Sequence, residues 1–167
     1  MEKYTEDMFQ GLDEEVTKYM TVLPYNDISL LPELQERVTK TLQEIKEHKK
    51  IVLAGIHKEN SEFLGVFNIS WFGNNALKGG IRIKKAAHGK GYGREGMLAL
   101  IQRTRENIDF EYILRPVDKD NISSRKIAEL AGGTLDINEN WEEIIEREEV
   151  NNSGRFLNLV HYKIYKN

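Results

Sequence analysis

The stretch His88-Gly89-Lys90-Gly91-Tyr92-Gly93-Arg94-Glu95-Gly96 decides the fold through what stands on either side of it. Before it, Ile81, Arg82 and Ile83 end a series of runs rich in branched and aromatic residues and read as a strand. After it, Met97, Leu100, Ile101 and Ile108 form an apolar stripe, which predicts a helix over about 92–107, and a further strand follows at 112–117. Strand, loop, helix and strand make one crossover unit, setting Ile81, Arg82 and Ile83 parallel to 112–117. The alternating glycines let the backbone turn sharply and approach a ligand, while the free N–H groups of the following helix face that ligand with partial positive charge. Charge agrees with a phosphate, since residues 82–94 hold Arg82, Lys84, Lys85, Lys90 and Arg94 and no acid. The plain alternative is a solvated turn whose glycines only relieve crowding.

Outward from the loop, the pattern is mostly antiparallel. Runs at 51–56, 63–72 and 81–83 read as three consecutive strands, joined by the short KENSE connection and by GNNALKGG. Upstream, residues 4–20 suggest one or two short amphipathic helices broken at Gly11, and Leu34, Val38, Leu42 and Ile45 predict a helix over about 32–49. Downstream, Asn121 opens a short helix that stops at Gly132 and Gly133, and a last strand is predicted at about 156–165. Between them lies an acidic stretch, 136–149, with Trp141, Ile144 and Ile145 at helical spacing; it reads as an amphipathic segment, either a solvated face or a rim that attracts a cationic amine. No linker or repeat interrupts the chain, so one domain over residues 1–167 is expected.

Composition narrows the function. The chain is 40% hydrophobic and 31% charged, with 24 basic and 27 acidic side chains and a net charge of -3. That balance disfavours nucleic acid, and the basic patch lacks interleaved aromatics beyond Tyr92. The absence of cysteine excludes disulfides, thiolate metal sites and a sulfur nucleophile, and the four histidines lack zinc-binding spacing, so no metal is expected. No apolar run reaches membrane-span length and the start MEKYTEDMFQ has no signal-peptide core, which predicts a soluble, cytoplasmic protein with no membrane partner. His57 and His161 fall within strand patterns and read as structural, and Trp71 reads as core.

Two phosphate-binding readings compete. Gly91-x-Gly93-x-x-Gly96 matches the dinucleotide fingerprint, with Asp118 near the place of a ribose-binding acid, but only one crossover exists where that fold needs several. The other reading is a resemblance. His88-x-x-Gly91-x-Gly93 resembles the Arg/Gln-x-x-Gly-x-Gly/Ala loop of the GNAT superfamily of N-acetyltransferases. Gly89 to Glu95 looks like the G-K-G-Y-A-T-E stretch of its RimJ/RimL branch. Asn121-Ile-Ser-Ser124 followed by Leu130-Ala-Gly132 is similar to the branch's N-x-x-S…L-G-F segment, and Glu15 to Met20 is similar to its early E-V-T-R-Y. The resemblance covers about residues 12–134.

It implies a mixed α/β fold: a mostly antiparallel sheet with one splayed parallel strand pair and helices on both faces. It implies acetyl-coenzyme A as cosubstrate and a primary amine as acceptor, whether peptide N-terminus, polyamine or other small amine, in a monomer or homodimer. Ile81, Arg82 and Ile83 would pair with the pantetheine arm. His88, Gly89, Lys90, Gly91, Tyr92, Gly93 and Arg94 would hold the pyrophosphate, and Asn121 would contact the arm. Ser124 is the candidate for hydrogen bonding near the sulfur, with support of the first helical turn as its other role. Glu95 is either a base or a loop-fixing carboxylate, and Glu111 and Tyr112 are further base candidates. The departures from the pattern are His88 for Arg or Gln, Gly133 for Phe, Ala128 where a proton-donating Tyr is common, and little room for the family's first strand. The His88 and Ala128 departures keep open a second function, a module that binds coenzyme A without turnover.

Overall fold

The computed structural model describes residues 13–20, 24, 31–73, 75–140, 142–150 and 153–166, with backbone alone at 31–35. The expectations for residues 4–12, for a missing first strand and for Trp141 lie outside the described residues. Asp13 caps a single helical turn, α1 (Glu14–Thr17), by accepting the Val16 amide at 2.8 Å. Helix α2 spans Leu31–Lys46 and lies against β1 (Lys50–Ile56). Strands β2 (Phe63–Trp71) and β3 (Ala76–Ile83) follow, and a 3-10 turn at Lys85–Ala87 leads to α3 (Tyr92–Asn107). Then come β4 (Tyr112–Asp118), α4 (Ile122–Leu130), β5 (Thr134–Leu135), β6 (Glu146–Glu149) and β7 (Phe156–Tyr165).

The strands form one sheet in the order β1-β2-β3-β4-β7-β5, with β6 also on β7. Every pairing is antiparallel except β3 with β4. The main core lies between the sheet and α3, where Phe67, Ile69, Leu77 and Ile113 meet Met97, Leu100 and Ile101. Gly96 admits the Phe67 ring, because a Cβ there would overlap it. Burying that ring contributes about 2–3 kcal/mol. On β2, Leu64 and Val66 are buried as well as Phe67 and Ile69, so alternation places apolar residues on both faces and explains the unbroken apolar run.

The parallel pair departs from the expected register in an informative way. Pairing joins Ala76, Leu77 and Lys78 to Tyr112, Ile113 and Leu114; Ile81, Arg82 and Ile83 pair only with β2, through Phe67, Val66 and Gly65. Beyond Lys78 the two strands part. In this register the next donor to the Gly79 carbonyl is the amide of residue 116, and residue 116 is proline. The Arg115 side chain supplies the bond instead, Nη1 donating to the Gly79 oxygen at 2.8 Å. Gly79 leaves room for it, since a Cβ there would stand 3.1 Å from Arg115 Cδ. The splay is therefore built by Gly79, Arg115 and Pro116.

Two further expectations are corrected. The acidic stretch is not helical: Ile137 bridges Glu143, and Glu146–Glu149 is strand β6 along β7, because β7 offers a free edge whose Leu157 and Leu159 cluster with Val150. Trp71 is not core, since it ends β2 and is 45% exposed. Among the described residues no helix is long and apolar enough to cross a membrane.

Candidate active site

The gap between β3 and β4 opens toward the glycine-rich loop. Lys84 N donates to Leu64 O, and Val66 pairs with Arg82, so even-numbered residues of β3 direct their backbone groups to β2. Odd-numbered residues face the gap. Arg82 thus presents no backbone group there, which corrects one of the three expected pairing positions. The Gly79 carbonyl is taken by Arg115 and the Ile83 carbonyl by His88 Nε2 at 2.8 Å. The N–H and C=O of Ile81 and the N–H of Ile83 remain without a partner among the described residues, a strand edge that fits an extended chain carrying amides.

At the end of that edge the loop turns through two left-handed glycines, Gly89 at φ 73° and Gly91 at φ 83°. No heavy atom would lie within 4 Å of a Cβ at either, so the space over the loop is open. Gly91 caps α3 without a side chain, and the first intrahelical bond runs from Glu95 N to Gly91 O at 3.0 Å. The amides before Glu95 have no intrahelical acceptor and carry the positive end of the helix dipole. Gly93 has a different role, because a Cβ there would press on Ile81 Cδ1 at 3.2 Å; it lets the helix start close against β3.

The basic patch is smaller than the sequence suggests. Lys84 pairs with Glu62 and Lys85 with Glu15, whereas Lys90 and Arg94 are exposed and form no ion pair among the described residues. An open helix terminus, two flanking cations and a free strand edge fit a pyrophosphate carrying an amide-bearing arm. His88 closes the loop onto the strand, its Nε2 on the Ile83 carbonyl. Tyr92 stacks edge-on against His57, with ring centroids 5.8 Å apart. Glu95 makes no side-chain hydrogen bond among the described residues, so it does not fix the loop.

Across the gap, Asn121 Oδ1 accepts the Ser124 amide at 3.1 Å and caps α4. The capping role is therefore filled by Asn121, and the Ser124 hydroxyl is directed elsewhere: Oγ accepts from Arg115 Nη2 at 3.2 Å. Arg115, which sequence reasoning did not single out, joins the gap to α4. It is 3% exposed, its Nε has no partner among the described residues, and burial lowers its pKa to about 10. Its signal was present in the sequence, as an arginine on the inward register of an apolar strand and followed by proline.

The remaining candidates fall outside this group. Glu111 and Tyr112 lie at the closed end of the parallel pair, Tyr112 against Tyr165. Asp118 accepts the amides of Asp120 and Asn158, at 3.0 and 2.9 Å, which removes it as a ribose-binding acid. Ala128 is 1% exposed among Val117, Val160 and Tyr162, so it is a core contact and not an empty acid position. Gly133 follows from the same packing, because a Cβ there would stand 2.7 Å from the Ala128 carbonyl. Much of the acidic stretch is committed locally: Glu143 pairs with Arg125, Glu146 with His161, Glu142 bonds Asn138, and Glu149 accepts the Gly154 amide.

Comparison with known proteins follows the same lines. A sequence model of the acetyltransferase (GNAT) domain matches residues 2–134. No curated protein sequence matches the chain. Among solved structures, a spermidine N-acetyltransferase from Vibrio cholerae in complex with CoA and spermine is 13% identical; the alignment covers 99% of this chain and 92% of that one, with a TM-score of 0.78. A ribosomal-protein-alanine N-acetyltransferase from Brucella melitensis is 14% identical, with 99% and 96% covered and a TM-score of 0.75. RimL, a ribosomal L7/L12 alpha-N-protein acetyltransferase in complex with coenzyme A, is 16% identical, with 99% and 90% covered and a TM-score of 0.79.

Proposed function

The chain belongs to the family of acetyltransferase (GNAT) domains, and on that premise we propose that it transfers the acetyl group of acetyl-coenzyme A to a primary amine by direct attack. The observation that carries this reading is the parting of β3 from β4 beyond Lys78, which leaves the β4-facing backbone groups of Ile81 and the amide of Ile83 without a strand partner among the described residues, beside an open helix terminus. Acetyl-coenzyme A supplies an activated thioester. The amides at the start of α3, with Lys90 and Arg94, hold its pyrophosphate, and Ile81 and Ile83 pair with its arm. Asn121 fixes the first turn of α4, and Ser124 offers its hydroxyl proton to the sulfur, since its lone pair is engaged by Arg115.

The acceptor is a peptide N-terminus, a polyamine or another small amine, reacting in a cytoplasmic protein that works as a monomer or homodimer. Its nitrogen attacks as the neutral amine, because an ammonium has no lone pair. Turnover is favoured over a module that only binds, since His88 and Ala128, the two replacements that suggested such a module, each have a structural role here. Calorimetry of wild-type protein with acetyl-coenzyme A tests the site. Saturable binding is expected, with a rise in melting temperature corresponding to about 2.7 kcal/mol at a hundredfold excess over Kd. Absence of both heat and shift at millimolar ligand overturns the reading.

A further inference from the structure

Arg115 is a buried cation without a counter-ion. No carboxylate among the described residues is within ion-pair distance of it, and its two hydrogen bonds go to neutral acceptors, the Gly79 carbonyl and the Ser124 hydroxyl. The carboxylates on neighbouring elements are engaged or exposed. Asp118 on β4 accepts two backbone amides, Glu129 on α4 accepts from the Tyr162 hydroxyl, Glu143 pairs with Arg125, and Glu95 on α3 faces solvent. A single strand carbonyl needs only one neutral donor. Burying a full charge to satisfy it is costly unless an anion arrives.

The place of the charge says which anion. An extended arm held at the loop and paired along Ile83 and Ile81 runs back toward Gly79, so its far end meets the point where the strands part, and Arg115 stands there. We infer that Arg115 takes up the negative charge that develops on the coenzyme A sulfur as the acetyl group leaves, an inference that rests on the acetyl-transfer reading above. In the step, the amine nitrogen forms a bond to the acetyl carbon and the carbon–sulfur bond breaks. The electron pair stays on sulfur as thiolate, and the nitrogen gives up one proton to solvent. Arg115 meets that charge with its guanidinium and through the Ser124 hydroxyl it polarises. With Ala128 in the core, no phenol is needed at that position, because the thiolate departs stabilised rather than protonated.

The test is the titration of coenzyme A bound to the wild-type protein, followed by the ultraviolet absorbance of its thiolate. A free thiol has a pKa of about 8.5, and a cation at contact distance lowers it by about one to three units. The bound thiol is expected to titrate in that lowered range, to return to the free value or above in Arg115→Met, and to lie between the two in Arg115→Lys. At neutral pH, kcat of Arg115→Met should fall by about tenfold or more while Kd for acetyl-coenzyme A stays within about threefold. A wild-type bound thiol that titrates at or above the free value overturns the inference, whether or not the variants fold. So does an Arg115→Met that titrates with the wild type. Failure of coenzyme A to bind at all would instead remove the acetyl-transfer reading, and this inference with it.

Discussion

Gly91→Val separates the loop's conformational demand from its ligand. Gly91 sits at φ 83°, and a Cβ there would have no heavy atom of the rest of the fold within 4 Å, so the first side-chain carbon of a valine meets open space. What it meets is backbone strain, about 1–2 kcal/mol for the left-handed conformation. For a chain of this length that corresponds to a fall in melting temperature of about 2–8 °C. Binding should suffer far more, because the branched side chain fills the open space before the α3 amides. Losing charge-assisted hydrogen bonds from two of those amides removes about 1.5–3 kcal/mol each, a weakening of Kd by about a hundredfold or more. The matched control is Gly154→Val. Gly154 also lies in the left-handed region, at φ 75°, with no described residue within 4 Å of a Cβ there, but in the turn before β7, which β4 separates from β3 in the sheet. It should show the same loss of melting temperature and unchanged affinity for acetyl-coenzyme A. Calorimetry and thermal denaturation of the pair decide the matter: if both variants bind as the wild type does, the loop is only a turn.

Other variants probe neighbouring parts of the site and its support. Ser124→Ala should lower kcat by roughly ten- to a thousandfold with acetyl-coenzyme A affinity little changed, whereas a helix-supporting role would lower stability and leave kcat intact; steady-state kinetics distinguish them. Asn121→Ala should destabilise the protein by about 1 kcal/mol, read as a lower melting temperature, because the Ser124 amide loses its cap. Gly96→Ala should destabilise by about 1–3 kcal/mol, since the Phe67 ring must move, and chemical denaturation measures it. Lys84, aided by Asn60, holds the Glu62 carboxyl below the ordinary carboxylate range. The stabilisation is therefore present above the unfolded value and is lost as pH falls through the lowered one, so melting temperatures of wild type and Glu62→Gln should converge as acid protonates the Glu62 carboxyl.

Much of this architecture is legible in the chain because local signals agree with the global arrangement. The helix at 92–107 and the strand at 156–165 fall where their apolar periodicity places them. Asn121 caps its helix as its residue type suggests, and Gly89 and Gly91 occupy the left-handed turns that glycine permits. Harder to read was whatever depends on partners distant in sequence. The acidic stretch has helical spacing at Ile144 and Ile145, yet the free edge of β7 draws it into a strand. Ile81, Arg82 and Ile83 look equivalent until the β2 register shows which amides face the gap. Lys84 and Lys85 count as basic patch in the sequence, and only folding brings Glu62 and Glu15 to them. Arg115 and Pro116 carry the splay itself, and their meaning depends on Gly79, 36 residues away.

Acetyl transfer to an amine is tested most directly by following both products of the reaction. Wild-type protein is incubated with acetyl-coenzyme A and a panel of peptide N-termini, polyamines and small primary amines, with free thiol and acetylated amine both quantified. The account predicts thiol release in step with formation of an acetylated product for at least one class of amine. Saturable cofactor binding with no acetylated amine from any class would contradict it.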